Sequence, residues 1–150
     1  MENYLHIFLI SIVPFIELRG AMIYAAVVGL PFLPSLLCCV IGNILPIPFL
    51  IKFSKAVLTY LARFPKIGWL FQKIIDHGNK KALKIGNMEL LGLFLFVALP
   101  IPGTGAWSAS LVAALLQLRI KNSFFAITLG VITCGIIMGI LSFGIANLFV

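Results

Sequence analysis

The run from Leu90 to Leu118 reads LLGLFLFVALPIPGTGAWSASLVAALLQL and carries no charge. It is longer than the ~20 residues a membrane-spanning helix needs, yet Pro100, Pro102, Gly103 and Gly105 break it near its middle. The uncharged pieces beside breaks of this kind are about 11 to 16 residues long, the length of re-entrant half-helices that enter a bilayer and turn back. Charge placement gives the same answer. A straight span would set Lys84 and the Arg119/Lys121 loop on opposite faces, whereas a hairpin keeps these cations together, as the positive-inside rule requires.

Three more uncharged runs extend from Asn3 to Ile16, from Gly20 to Ile51 and from Asn122 to Val150. Pro14 and Gly20 bracket an expected break, and Pro31 and Pro34 mark a turn. The N-terminal part then reads as a hairpin dipping from the outer face, an outside turn at Leu30 to Pro34, and a span ending at Lys52. Two short full spans would also return the chain to its starting side; segment length favours the re-entrant form.

The halves resemble each other. SIVPFIELRGAM from Ser11 aligns with VALPIPGTGAWS from Val97, 86 residues on, with Pro14 over Pro100. After a two-residue insertion, PSLLCCVIGN from Pro34 lies over NSFFAITLGV from Asn122, with Ser35 over Ser123 and Gly42 over Gly130. One net crossing per half and a shared cytoplasmic connector give the halves opposite orientation, as in the inverted repeats of secondary transporters. The expected fold is therefore all-α and integral to the membrane, an inverted repeat of re-entrant hairpin plus transmembrane helix. Repeat one is placed at 3–51, a basic amphipathic connector at 52–88 and repeat two at 89–150, in one membrane domain.

Composition excludes most other classes. Hydrophobic residues make up 62% of the 150 and charged ones 10%, against about 45–50% and 25% in soluble domains. The net charge of +7 does not indicate nucleic acid, because eight of eleven basic residues lie between Lys52 and Lys84, between apolar runs. That is the pattern of a membrane surface. Glu2, with no Lys or Arg before the first apolar run, is the reverse of a signal peptide's basic start, so that segment is expected to be retained. Cys38, Cys39 and Cys134 lie in apolar runs without metal-ligand spacing and read as small buried fillers. Within the connector, Ile67, Leu70, Phe71, Ile74 and Ile75 share a helical stripe, with Lys66, Lys73 and Lys80 elsewhere. This helix should lie flat on the inner leaflet, divided at Pro65 from a shorter one at about Lys52 to Arg63, with Tyr60 and Trp69 at headgroup level.

Apart from Glu89 at the edge of the connector, Glu17 and Arg19 are the only charged residues outside the termini, the connector and the Arg119/Lys121 loop. Each costs about 2.5–3.5 kcal/mol at the bilayer centre, so something compensates for them. Two residues apart on a regular helix they point apart, and a direct pair needs the break near Pro14. Desolvation favours the protonated form of Glu17 and a neighbouring arginine favours the carboxylate, a balance suited to a proton carrier. Arg19 suits an anionic substrate group, a carboxylate or a phosphate.

In the second half, Pro100 to Trp107 supplies turning glycines and a helix start whose amides are offered to an anion. It lacks the ending of a nucleotide-binding P-loop. Thr104 and Ser108 add hydroxyls and Trp107 a flat wall. Asn43, followed by Pro46 and Pro48, marks a weakened helix in the first span. The candidate substrate or proton site is thus Glu17, Arg19, Asn43, Pro100, Pro102, Gly103, Thr104, Gly105, Trp107 and Ser108. A bland reading stands beside each: mutual neutralisation, a flexible hairpin tip, plain packing. Gly135 and Gly139 indicate close helix packing. His6, Asp76 and His77 assemble no catalytic or metal centre, so neither catalysis nor a cofactor is expected.

Pro14-Phe-Ile-Glu-Leu-Arg-Gly20 and Leu99-Pro-Ile-Pro-Gly-Thr-Gly-Ala-Trp107, joined by a basic connector, closely resemble the small multi-drug export proteins of prokaryotes. The likeness covers essentially the whole chain, and Gly42-Asn43 with Pro46 and Pro48 is similar to that family's first span. Met22 and Ile23 stand where the family leads one to expect a proline. More distantly the chain resembles the DedA/VTT membrane proteins, a resemblance that implies paired re-entrant hairpins and lipid transport. The leading expectation is a small transporter of the prokaryotic inner membrane, multi-pass, with a cytoplasmic connector, exporting a small molecule by proton coupling. The alternatives are a DedA-like flippase or scramblase of an anionic lipid, and a non-transporting assembly factor. Expected partners are the lipid bilayer, a small-molecule or lipid substrate and, for so small a chain, a second copy as a homodimer.

Overall fold

The computed structural model describes residues 2–82 and 87–148. Lys84, which closes the basic stretch, lies outside them. Among the described residues eight helices follow in order: α1 Glu2–Ile12, α2 Glu17–Val27, α3 Phe32–Ile44, α4 Ile47–Leu61, α5 Gly68–Ala82, α6 Asn87–Ala98, α7 Ala106–Leu115 and α8 Ile120–Leu148. The molecule is all-helical, without strands among the described residues. Two apolar stretches, Phe32–Leu61 across α3 and α4 and Ile120–Ile145 in α8, are long enough to cross a membrane. Helices α1, α2, α6 and α7 have 11, 11, 12 and 10 residues. At 1.5 Å per residue each is about 15–18 Å long, roughly half the hydrocarbon thickness.

Proline and glycine set these boundaries, with three shifts from the expected positions. The first break occupies Val13 to Ile16, and Gly20 lies inside α2, its amide donating to the Ile16 carbonyl at 3.0 Å. Phe15 (φ 71°) and Glu17 (φ 49°), not a glycine, adopt the left-handed backbone that redirects the chain after Pro14. The turn after α2 runs from Val28 to Pro31, and Pro34 falls in the first turn of α3, where a missing amide costs nothing. The span does not end at Lys52: α4 continues to Leu61, and no separate helix starts there. A lysine stem is long enough to leave an apolar helix intact while carrying its charge away. Lys55 shows this, its ammonium donating to the Leu118 carbonyl at 2.6 Å.

Small residues allow the helices to approach. Gly42 of α3 leaves no room for a Cβ against Ser11 and the Phe8 carbonyl of α1, and Gly130 of α8 none against Val97 and the Phe94 carbonyl of α6. Gly135 and Gly139 seat Leu36 and Phe32 of α3, so their spacing serves packing. Ala21, Ala25 and Ala26 form the buried face of α2, and Ala109, Ala113 and Ala114, 88 residues on, that of α7.

The turns that follow these two helices share one hydrogen-bond pattern. Val28, Gly29 and Leu30 donate amides to Tyr24, Ala26 and Ala25, and Leu116, Gln117 and Leu118 donate to Val112, Ala114 and Ala113. All six donors and acceptors correspond at the same interval of 88 residues, and the positive φ falls on Gly29 (72°) and on Gln117 (53°). Helix α5 presses Gly78 against the second of these turns, near the Leu115 carbonyl and Gln117. Phe71, Ile74 and Ile75 of its apolar stripe are half-buried, while Ile67, Leu70 and Trp69 are exposed.

Candidate functional site

The two breaks meet, and their polar groups bond across rather than within. Glu17 stands at the first position of α2, with 4% of its surface exposed. Its Oε1 accepts the Trp107 backbone amide at 3.1 Å, an amide in the first turn of α7. The helix-start donor that the sequence offered to a substrate anion is therefore taken by the protein's own carboxylate, where the helix dipole also favours negative charge. Arg19 faces the same way: its Nη2 donates to the Leu99 carbonyl at 2.9 Å and to Thr104 Oγ1 at 3.1 Å. Glu17 and Arg19 share no hydrogen bond of their own, so the direct pair considered from sequence is replaced by two parallel links to the glycine-rich turn.

Trp107 completes the junction. Its indole Nε1 donates to the Ile12 carbonyl at 3.1 Å, at the end of α1. Arg19 and Trp107, 88 residues apart, thus each cross to the main chain at the end of the other half's first helix. Gly105 makes room: a Cβ there would land on the Glu17 carboxylate. Thr104 steadies the turn by hydrogen bonds to the Leu99 and Ile101 carbonyls, at 3.2 and 2.9 Å.

A cavity of about 440 Å³ opens over this junction, with Glu17, Arg19, Gly103, Gly105, Trp107 and Ser108 on its surface. Of the residues proposed from sequence, Thr104 supports from behind, and Pro100 and Pro102 shape the turn without lining the cavity. Asn43 is 3% exposed and lies beneath, with Glu17, Arg19, Gly105 and Cys134 around a gap of about 10 Å³. Its Oδ1 and the Arg19 Nε find no hydrogen-bond partner among the described residues. Sequence reasoning missed the walls, Leu50, Phe53 and Ser54 of α4, Leu111 of α7 and the Pro14–Phe15 corner. Leu50, Phe53 and Ser54 are marked only by their place on α4, and Leu111 by its place on α7. Among the described residues no cluster of three metal-ligating side chains occurs.

The family model described as "Putative small multi-drug export protein" matches residues 17–137, from the buried glutamate to just past the middle of α8. The chain belongs to this family. No curated protein and no solved structure matches it. An export-family assignment and two helices long and apolar enough to span make this small multi-drug export family member a membrane protein, of the transporter kind its family's description names.

Proposed function

We propose that the protein is a small proton-coupled exporter of the inner membrane whose solute binds in the cavity over Glu17 and Arg19. The observation that carries this is the junction itself: the two charged groups that a membrane interior penalises most sit on the floor of a cavity of about 440 Å³, within the ~300–1,000 Å³ usual for small-ligand sites. Its walls, Phe15, Leu50, Phe53 and Leu111, are apolar, and Ser54, Ser108 and the Trp107 ring add polar and flat surface, which fits an amphipathic solute.

The chain forms an inverted repeat in this reading, each half a re-entrant hairpin (α1–α2 and α6–α7) followed by a spanning segment (α3–α4 and α8), with the basic connector cytoplasmic. Four half-length helices, the equal turns after α2 and α7, and the matched glycine contacts of Gly42 and Gly130 support it. Proton binding then acts on the link between halves. The ionised Glu17 holds the Trp107 amide by a charge-assisted hydrogen bond, roughly twice as strong as the neutral one left after protonation. A proton on Glu17 loosens one tie between the hairpins, and solute binding beside it shifts the arrangement further.

The test is flux in proteoliposomes under an imposed pH gradient, with ethidium and carboxyfluorescein as probes and lipid headgroup exposure read in parallel. Gradient-driven flux of a probe, lost in Glu17→Gln and reduced in Arg19→Ala, is the expected result. Headgroup transfer without probe flux would overturn it in favour of an anionic-lipid flippase or scramblase. That alternative is the weaker, because Glu17 already fills the amide a phosphate would need. Folded protein inactive in both assays would favour an assembly role.

A further inference from the structure

The cavity over Glu17 has a counterpart elsewhere in the molecule. Between α2 and the second half of α8 lies a groove of about 420 Å³. Its lining repeats that of the first cavity at the interval that relates the two turns and the two alanine faces: Phe53, Ser54 and Leu111 line the first, and Leu141, Ser142 and Ile23 the second. Ser54 and Ser142 are both half-buried. We propose that this groove is the far chamber of the transport route, occupied by the same solute after it passes Glu17 and Arg19, and that the closed gap beside Asn43 is the constriction between the two. The proposal rests on the transporter reading above.

The gap supplies an independent argument. It lies on the α8 side of Arg19, and Cys134 on its wall is one helical turn from Met138 on the groove's wall. Arg19 stands one turn before Ile23 on α2, so the same two helices bound the gap and the groove. Two buried polar atoms, Arg19 Nε and Asn43 Oδ1, have no hydrogen-bond partner among the described residues beside this gap. A buried donor and acceptor left unpaired are costly, and a passage that admits a polar group at this point in the transport cycle accounts for their retention. Opening it requires release of the crossing bonds of Arg19 to Leu99 and of Trp107 to Ile12, whose donors are related by the 88-residue interval and whose acceptors both lie at the end of the first helix of a half. Exchange of the roles of the two halves then closes the first cavity as the second gains access to the junction.

Aqueous thiol labelling tests this without a known substrate. In a background with Cys38, Cys39 and Cys134 changed to Ala, single variants Ser54→Cys, Ser142→Cys and Ile41→Cys are exposed to a charged, membrane-impermeant methanethiosulfonate, in intact spheroplasts and in inverted vesicles. Ile41, exposed on the outer side of α3, is the lipid-facing control. Because the reagent attacks thiolates in water, Ser54→Cys should react about tenfold faster from one face, Ser142→Cys about tenfold faster from the other, and Ile41→Cys from neither. Labelling after denaturation verifies each thiol. Reaction of both serine positions from one face, or a Ser142→Cys as inert as Ile41→Cys, overturns the far chamber. In ethidium flux, Ser142→Trp fills the groove and should lower transport about tenfold. Normal flux in Ser142→Trp with loss in Glu17→Gln removes the chamber and leaves the transporter; normal flux in Glu17→Gln removes Glu17 as the proton carrier, and no ethidium flux in the unaltered protein removes the transporter reading itself.

Discussion

Gly105→Ala isolates the contact on which the site depends. The backbone at Gly105 has φ −88° and ψ −169°, extended geometry that alanine adopts freely, so the change introduces no backbone strain. What it introduces is a methyl group on the Glu17 carboxylate, close to both oxygens. Glu17 has to leave the Trp107 amide, and a hydrogen bond to a charged group is worth about 1.5–3 kcal/mol. With the carboxylate still buried, a loss of about 2 kcal/mol is expected, roughly 4–8 °C in the unfolding midpoint for a chain of this length. Thermal unfolding in detergent, with Gly105→Ala and Glu17→Ala separately and together, measures it as a double-mutant cycle. The effect of Gly105→Ala should nearly vanish in the Glu17→Ala background. Gly92→Ala is the control: that helical glycine has open space around it and should gain about 0.5–1 kcal/mol. An equal cost of Gly105→Ala with and without Glu17 would refute the contact.

Arg19→Lys should lower flux about tenfold even though the charge is kept, because an ammonium is a poor substitute for a planar fork that bonds a carbonyl and a hydroxyl through one nitrogen. The two equivalent turns should answer oppositely in thermal melts, Gly29→Ala losing about 1 kcal/mol and Gln117→Gly gaining a similar amount, since both positions have left-handed backbone. Gly130→Val should cost about 1–3 kcal/mol in the same assay by forcing α8 from the Phe94 carbonyl. Cysteines at Phe32 and Asn122 should label from opposite membrane faces; labelling from one face removes the inverted arrangement.

Much of this was legible in the sequence because Pro and Gly act locally. Pro14, the Pro100 to Gly105 run and Asn43 with Pro46 each mark a real interruption, since a missing amide or an absent side chain has the same effect in any environment. Membrane character was equally plain, as apolar length needs no tertiary knowledge. The positions of Glu17 and Arg19 on one cavity followed from the penalty for isolated charge in lipid. Their partners did not. Leu99 and Ile12 act through carbonyl oxygens, which every residue carries and no composition reveals. Leu50, Phe53 and Leu111 are apolar among apolar neighbours, and only the assembled helices separate a cavity wall from an outward face. The span end was misplaced at Lys52 because a charge was read as a boundary, although a snorkelling stem leaves the helix intact.

The clasp between the hairpins ends on peptide oxygens. Substitutions at 12 or 99 that preserve the local backbone keep those acceptors, so the side chains there are free to drift. The lining of the cavity can accordingly be reworked one position at a time, while the main-chain clasp beneath it is inherited intact.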